Sequence, residues 1–298
     1  MKAPNARDGW KSVVRVAHSG ERDWPLAFIG RSLGGWVSSG RSLLSIVIGL
    51  AIWEGMAFLF PKDVSTPVSV WLVFLQDVSN GVLLTNAAYS VGRVLVGFTA
   101  GLGLAVPVAF ALRSSRWVRG IVDPWLQFAR MIPAIAVIPL VIVFFGIGEL
   151  SKVSVIFSAV FFVAVITCYQ GIRMIDAVQV NAARVLGASG VSLFVKVILP
   201  AALPSILTAA RLGIATGWTV VVAAELIAAS HGLGFMITQA ADYFDLPTIY
   251  LGIIVIGVFG LVFDRVIVTI EKRAVAWADI AGDDGGTVAW EDVKERVA

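Results

Sequence analysis

The chain has 298 residues, 58% of them hydrophobic and only 14% charged, with a mean hydropathy of +0.88. A soluble domain of that length carries roughly 25% charge, so the composition excludes an ordinary water-soluble globule and points to a protein immersed in lipid. The net charge of +3 and pI near 9.2 invite a nucleic-acid partner, but the basic residues are spread along connectors beside apolar segments, the pattern of membrane topology.

Long apolar runs rich in Gly, Ala and Val favour an all-α polytopic bundle over a barrel, whose strands would alternate at period two. The first long run begins near Leu43, too far along for the apolar core of a cleavable signal. Residues 1–42 are therefore expected to form a cytoplasmic tail carrying an interfacial stretch from Trp10 to Trp36. About six spans are predicted, over 43–60, 85–112, 121–146, 151–171, 203–229 and 248–270. The first closes at Pro61-Lys62-Asp63, and a polar connector runs on to Asn80-Gly81. The second closes at the basic cluster that opens with Arg113. The third holds Pro133 and Pro139, a spacing that suggests a broken segment lining a pathway, and closes at Gly146-Ile147-Gly148-Glu149. A polar-to-amphipathic connector, 172–202, precedes the fifth span, and a short hairpin-like connector, 231–247, precedes the sixth. The membrane region is 43–275, followed by a polar tail, 276–298. The lone Cys168 lies in an apolar run and reads as a small buried hydrophobe.

Alternate connectors differ sharply in Lys and Arg. The N-terminal segment holds 7, the 113–120 connector 3, the 172–202 connector 3 and the chain after 270 holds 4, whereas the opposite side has Lys62 and Lys152. By the positive-inside rule both termini and the 172–202 connector are cytoplasmic, in a multi-pass protein of the bacterial inner membrane.

Within that connector Val178, Ala182, Val185, Ser189 and Leu193 recur at helical spacing, and Gly187 and Gly190 mark a sharp turn between two short helices. The small residues Ala182, Ala183, Gly187, Ala188 and Ser189 let a partner surface approach the backbone, shaping the segment to dock in the cytoplasm. An interfacial amphipathic loop is the competing reading of the same residues.

The run Asn181-Ala182-Ala183-x3-Gly187-x9-Val197-x-Leu199-Pro200 resembles the EAA loop of ABC-importer permeases, the inner-membrane components of binding-protein-dependent transport systems. Asn181 stands where that family usually has Glu, and Val197 where Ile is common. The stretches 130–140, 145–152, 222–227 and 232–236 are similar to the nitrate, sulfonate and taurine branch, and Phe263-Asp264-Arg265 to nitrate and bicarbonate relatives. The resemblance covers roughly 43–275 and implies a type I importer permease fold. It implies that the loop is a coupling helix seated in a cleft of a separate ATPase subunit, through Asn181, Ala182, Ala183, Gly187, Ala188, Ser189, Leu199 and Pro200. It further implies two ATPase subunits that hold ATP and Mg, an extracytoplasmic solute-binding protein, and a second permease subunit forming a homodimer. The cargo it implies is a small anion or zwitterion such as taurine, an alkanesulfonate or nitrate, moved by alternating access.

The chain offers no catalytic constellation of its own. It has no phosphate-binding loop, no cluster with metal-ligand spacing (the histidines are His18 and His231), and no Ser or Cys arranged with a His. A non-catalytic subunit without its own cofactor or metal is expected. Ionisable residues inside spans are costly and so become functional candidates: Arg93, Arg130, Arg211, Glu54 and Glu225. Arg93 could attract an anion or pair with Glu54 or Glu225; Arg130 precedes the proline-broken segment; Arg211 suits a snorkelling structural role; Glu225 suits a gate or a pairing role. The pathway is expected to use Arg93, Arg130, Pro133, Pro139 and Glu225. An ATP-independent channel or secondary transporter, the alternative, would need midplane carboxylates, of which Glu54 and Glu225 are the candidates, and would need no docking loop.

Overall fold

A computed structural model describes residues 40–275. The expected tails, including the Trp10–Trp36 stretch, lie outside the described residues. The chain divides into two units, Met1–Leu59 and Phe60–Ala298. The described part of the first is one helix, α1 (Gly40–Leu59), which carries the apolar run expected at 43–60 and the exposed Glu54.

All regular elements among the described residues of the second unit are helical. They are α2 (Pro67–Ser79), α3 (Val82–Ser114), α4 (Arg116–Ala129), α5 (Ala134–Phe145), α6 (Glu149–Arg173), α7 (Ala177–Val185), α8 (Gly190–Leu193), a π-turn (Phe194–Ile198), α9 (Leu199–Ala228), α10 (Leu233–Asp242) and α11 (Leu246–Ala274). Among the described residues, four helical stretches are each long and apolar enough to cross a membrane: α3, α6, the continuous run Gly190–Ile227, and α11.

Two expected connectors are helical instead. The 61–80 stretch contains α2, opened by Thr66, whose hydroxyl accepts the Ser69 N–H at 3.2 Å, and by Pro67 in the first turn, where its missing N–H is no loss. The expected hairpin at 231–247 contains α10, ten residues long. Neither helix is long enough to span lipid.

The third expected span is sharply broken. The chain bends by 101° between α4 and α5, which at 1.5 Å per residue are about 21 Å and 18 Å long, each short of ~30 Å of hydrocarbon. Pro133 disfavours a helical Ile132 and offers no N–H, so Met131 and Ile132 donate back only three residues, to Phe128 and Ala129, and the helix ends. Pro133 then caps α5, and Pro139 sits inside it. The break is therefore at 130–133 and not between the two prolines.

The bundle is built on α3, α6 and α9. Lipid tails are as apolar as Leu, so spans associate by close packing, and small residues at the seam allow it. The buried stripe of α3 runs through Ala87, Ser90, Gly97, Gly101, Ala105 and Ala109. A Cβ on Gly97 would lie 2.6 Å from Ile156, and one on Gly101 would lie 3.0 Å from Val160, so α3 and α6 run in the same direction with almost no gap. Gly213 and Gly217 bring α9 against Val160 in the same way. Two cores result, one around Val94, Ile156, Val160, Trp218 and Leu233, the other around Ala109, Leu126, Val165, Cys168 and Tyr169. The first lies toward the far end of the bundle, which holds the start of α3 and α10; the second lies toward the loop end, which holds α7. Trp218 anchors α11 by donating its indole N–H to the Ile256 carbonyl at 2.9 Å.

Gly97→Ala should force α3 and α6 apart and lower stability by about 1–3 kcal/mol. Gly103→Ala, whose Cβ meets nothing within 4 Å, should not. Thermal unfolding of the detergent-solubilised proteins checks the contrast.

Candidate functional site

Two regions concentrate the polar chemistry, one at each end of the bundle. At the far end Arg93 (3% exposed) and Glu225 (1% exposed) face each other across α3 and α9. The Arg93 Nη1 donates to Glu225 Oε1 at 2.6 Å and to the His231 carbonyl at 2.6 Å. Its Nε and Nη2 form a two-pronged pair with Glu149 at 2.5 and 2.7 Å, and Lys152 reaches Glu149 at 3.1 Å. The Tyr89 ring lies 5.5 Å from the guanidinium and stacks on His231. Two cations and two carboxylates thus close into one neutral group.

The same cluster builds the start of α10. The first N–H groups of a helix have no partner within it and must find acceptors. Here all three acceptors are side chains from elsewhere. Gly232 N donates to Asn86 Oδ1 at 2.8 Å, Leu233 N to Ser90 Oγ at 2.9 Å, and Gly234 N to Glu225 Oε2 at 2.9 Å. Ser90 in turn donates to the Glu225 carboxylate at 2.8 Å. The negative carboxylate at a helix N-terminus is also favoured by the helix dipole. Gly232 is required twice, for a φ of +132° and because a Cβ there would lie within 2.5 Å of the Glu225 oxygens. Gly234 is required by space, since its Cβ would come within 2.8 Å of the Val222 carbonyl.

At the loop end Asp176 caps α7 by accepting the Val178 N–H at 2.8 Å. The helix ends in a Schellman turn: Ala188 N donates to the Ala183 carbonyl at 2.9 Å and Gly187 N to the Arg184 carbonyl at 3.0 Å. That turn needs a left-handed residue at Gly187, whose φ is +90°. After Gly190 the chain is helical without interruption to Ile227. Pro200 cannot supply an N–H to the carbonyl four residues back, and a π-turn precedes it, in which Leu199 N reaches Phe194 O.

The faces of α7 differ. Ala177, Val180, Asn181 and Arg184 lie on the side toward α3 and, with Arg113 and Ser114 at its end, line an open cleft of about 590 Å³; of the four only Val180 is half-buried. Val178, Ala182, Val185 and Leu186 turn outward and are exposed, as are the nearby Met174 and Val191. These outward residues leave an apolar face bare on a short, capped helix.

A family model described as "Binding-protein-dependent transport system inner membrane component" matches residues 81–275. The chain belongs to that family. It is 43% identical over 242 residues to a "Probable ABC transporter permease protein" of Brucella abortus (strain 2308), covering 81% of this chain and 97% of the relative. It is 36% identical to the "Taurine transport system permease protein TauC" of Escherichia coli (strain K12), covering 81% and 92%. Its fold is that of a solved structure titled "Crystal structure of an amino acid ABC transporter with histidines", with a TM-score of 0.57 at 19% identity, covering 68% of this chain and 97% of that one. The chain is an ABC transporter permease.

The loop residues of this permease occupy three distinct places. Ala182, Gly187 and Ser189 are exposed on the turn; Ala183 and Ala188 are half-buried within it; Asn181, also exposed, lines the cleft beside α3. Leu199 and Pro200 are half-buried at the start of α9, beside the π-turn. The outward apolar residues Met174, Leu186 and Val191 were not singled out from sequence, although Leu186 falls one helical turn from Ala182. Of the charged candidates, Arg93 and Glu225 are brought together, and the partner in addition to Glu225 is Glu149, not Glu54. Glu149, Lys152, Ser90 and Asn86 are members of that cluster that sequence reasoning missed; the signal available was polarity recurring at helical spacing along α3 (86, 90, 93). Arg130, Pro133 and Pro139 are exposed around the α4–α5 break, and among the described residues the Arg130 side chain has no ion-pair partner. Arg211 pairs in two-pronged fashion with Asp264 of α11, at 2.6 and 3.1 Å.

Glu225→Ala should strand Arg93 and the Gly234 N–H and cost about 3–5 kcal/mol, while Glu225→Gln, which keeps the shape and most hydrogen bonds, should cost less. Thermal unfolding in detergent measures both. Gly187→Ala places a side chain at positive φ, at roughly 1–2 kcal/mol, and should speed hydrogen exchange at the Ala188 amide while leaving the spans protected.

Proposed function

We propose that this permease forms half of the translocation pathway of an ATP-driven importer for a small anion or zwitterion, of the taurine, alkanesulfonate or nitrate kind. Two copies enclose the pathway, and two separate ATPase subunits bind ATP and Mg and hydrolyse ATP. A solute-binding protein delivers cargo at the far end. Both termini and α7 lie in the cytoplasm, a reading supported by the excess of Lys and Arg in the connectors on that side.

The observation that carries this reading is the geometry of α7. A capped helix with an outward apolar face sits between two spanning helices, and it continues through one turn into the 38-residue run Gly190–Ile227, about 57 Å long. Closure of the ATPase dimer on ATP displaces α7, and the long helix carries the displacement across the membrane. At its other end that helix bears Glu225, which holds both Arg93 and the N-terminus of α10. In this reading Arg93 and Glu225 are the joint through which the loop moves the far-end gate. Arg130, Pro133, Pro139 and the exposed face of α5 are then the surface that two copies turn toward the pathway. Similarity to the taurine permease supports the choice of cargo class.

The full chain should co-purify with a P-loop ATPase, and Val185→Asp with Leu186→Asp should abolish this without unfolding the spans. Uptake by the isolated chain in liposomes without ATP would overturn the reading. The cargo is tested by loading the partner binding protein with taurine, an alkanesulfonate, nitrate or bicarbonate in parallel; one of the first three should stimulate ATPase activity.

A further inference from the structure

The segment expected to be the start of the third span has no role in the reading above. It is α4, and its sequence divides into three faces. Val118, Val122 and Leu126 pack on the loop-end core. Trp117, Ile121, Trp125 and Phe128, at spacings of four, four and three, form a largely bare stripe: they are 84%, 65%, 71% and 64% exposed. On the remaining side are Arg116, Arg119, Asp123 and Gln127, with Asp123 the one carboxylate of the helix.

We infer that α4 lies in the plane of the membrane surface at the loop end, with the Trp117–Phe128 stripe in the acyl boundary, and that Arg113, Arg116 and Arg119 bind anionic phospholipid headgroups there. Four features of the chain support the bilayer as occupant. The helix follows directly on the end of the spanning helix α3, at the extended residue Ser115, where the chain leaves the hydrocarbon. It is too short to cross, and it runs across the direction of α5, bent from it by 101°. Two of its four stripe residues are Trp, whose amphipathic ring settles at the headgroup boundary. The three arginines fall within seven residues, are exposed, and have no ion-pair partner among the described residues, so their charge is free to meet phosphates. An apolar stripe beside a protein core and opposite a basic face is the arrangement of a helix that floats at an interface. The inference depends on membrane residence and not on ATPase docking or on cargo.

The test uses the full chain in nanodiscs of phosphatidylcholine and phosphatidylglycerol. Cys168 is buried, so a spin label on Ile121→Cys attaches selectively. The label should collide freely with oxygen and poorly with a water-soluble nickel chelate, at a depth of roughly 5–10 Å below the phosphates. Poor access to both reagents would mean that protein covers the stripe, a second copy or another part of the chain, and would overturn the inference; ready access to the chelate would mean water, and would overturn it equally. Native mass spectrometry of the detergent-extracted chain should show phosphatidylglycerol retained over phosphatidylcholine. The Arg113→Gln, Arg116→Gln, Arg119→Gln variant should lose that retention by roughly an order of magnitude with an unchanged circular dichroism spectrum. Undiminished retention would overturn the headgroup assignment.

Discussion

Everything at the far end hangs on one buried contact, the Glu225 carboxylate against the Arg93 guanidinium. Two charges placed in a low-dielectric interior are tolerable only when geometry is close and every remaining donor and acceptor is met. Here the carboxylate also takes Ser90 and the Gly234 N–H, and the guanidinium also takes Glu149 and the His231 carbonyl. The pair therefore fixes four helices at once: α3, α6, α9 and α10. The two glycines of the Gly232-Leu233-Gly234 turn exist because the carboxylate is so near the backbone that side chains would have no room.

The loop end is organised by different physics. There a local device, an Asx cap at one end of α7 and a Schellman turn at the other, stiffens nine residues that bury almost nothing of their own. The helix is thus rigid without being buried. The π-turn at Phe194–Ile198 lets the chain pass Pro200 without breaking the helix that leads to the far end. Both ends of the permease are thus joined by one element, and each end is fixed by hydrogen bonds of a different kind.

Hydropathy and length together explain which helices cross. Between them the small-residue seams of α3, α6 and α9 replace the hydrophobic drive that is missing in lipid. The segments where structure and sequence pattern differ, α2, α4 and α10, share one property: each is apolar or amphipathic but too short to span. Composition alone divides such a chain into spans and connectors, and short helices at the ends of a bundle fall between the two.

The sequence by itself determined immersion in the membrane, the long spans, and the two short helices with a turn at Gly187 in the 172–202 connector. These follow from hydropathy, charge bias and hydrogen bonds closed within a few residues, all of which are local along the chain. The pairing of Arg93 was not local. Its partners stand 56 and 132 residues away, and Glu54 was as reasonable a choice on polarity and topology. Which carboxylate reaches it depends on how each helix is rotated and how far it slides along its neighbour. Those two quantities are set by close contacts such as Gly97 on Ile156 and Gly217 on Val160, and only the tertiary structure decides them.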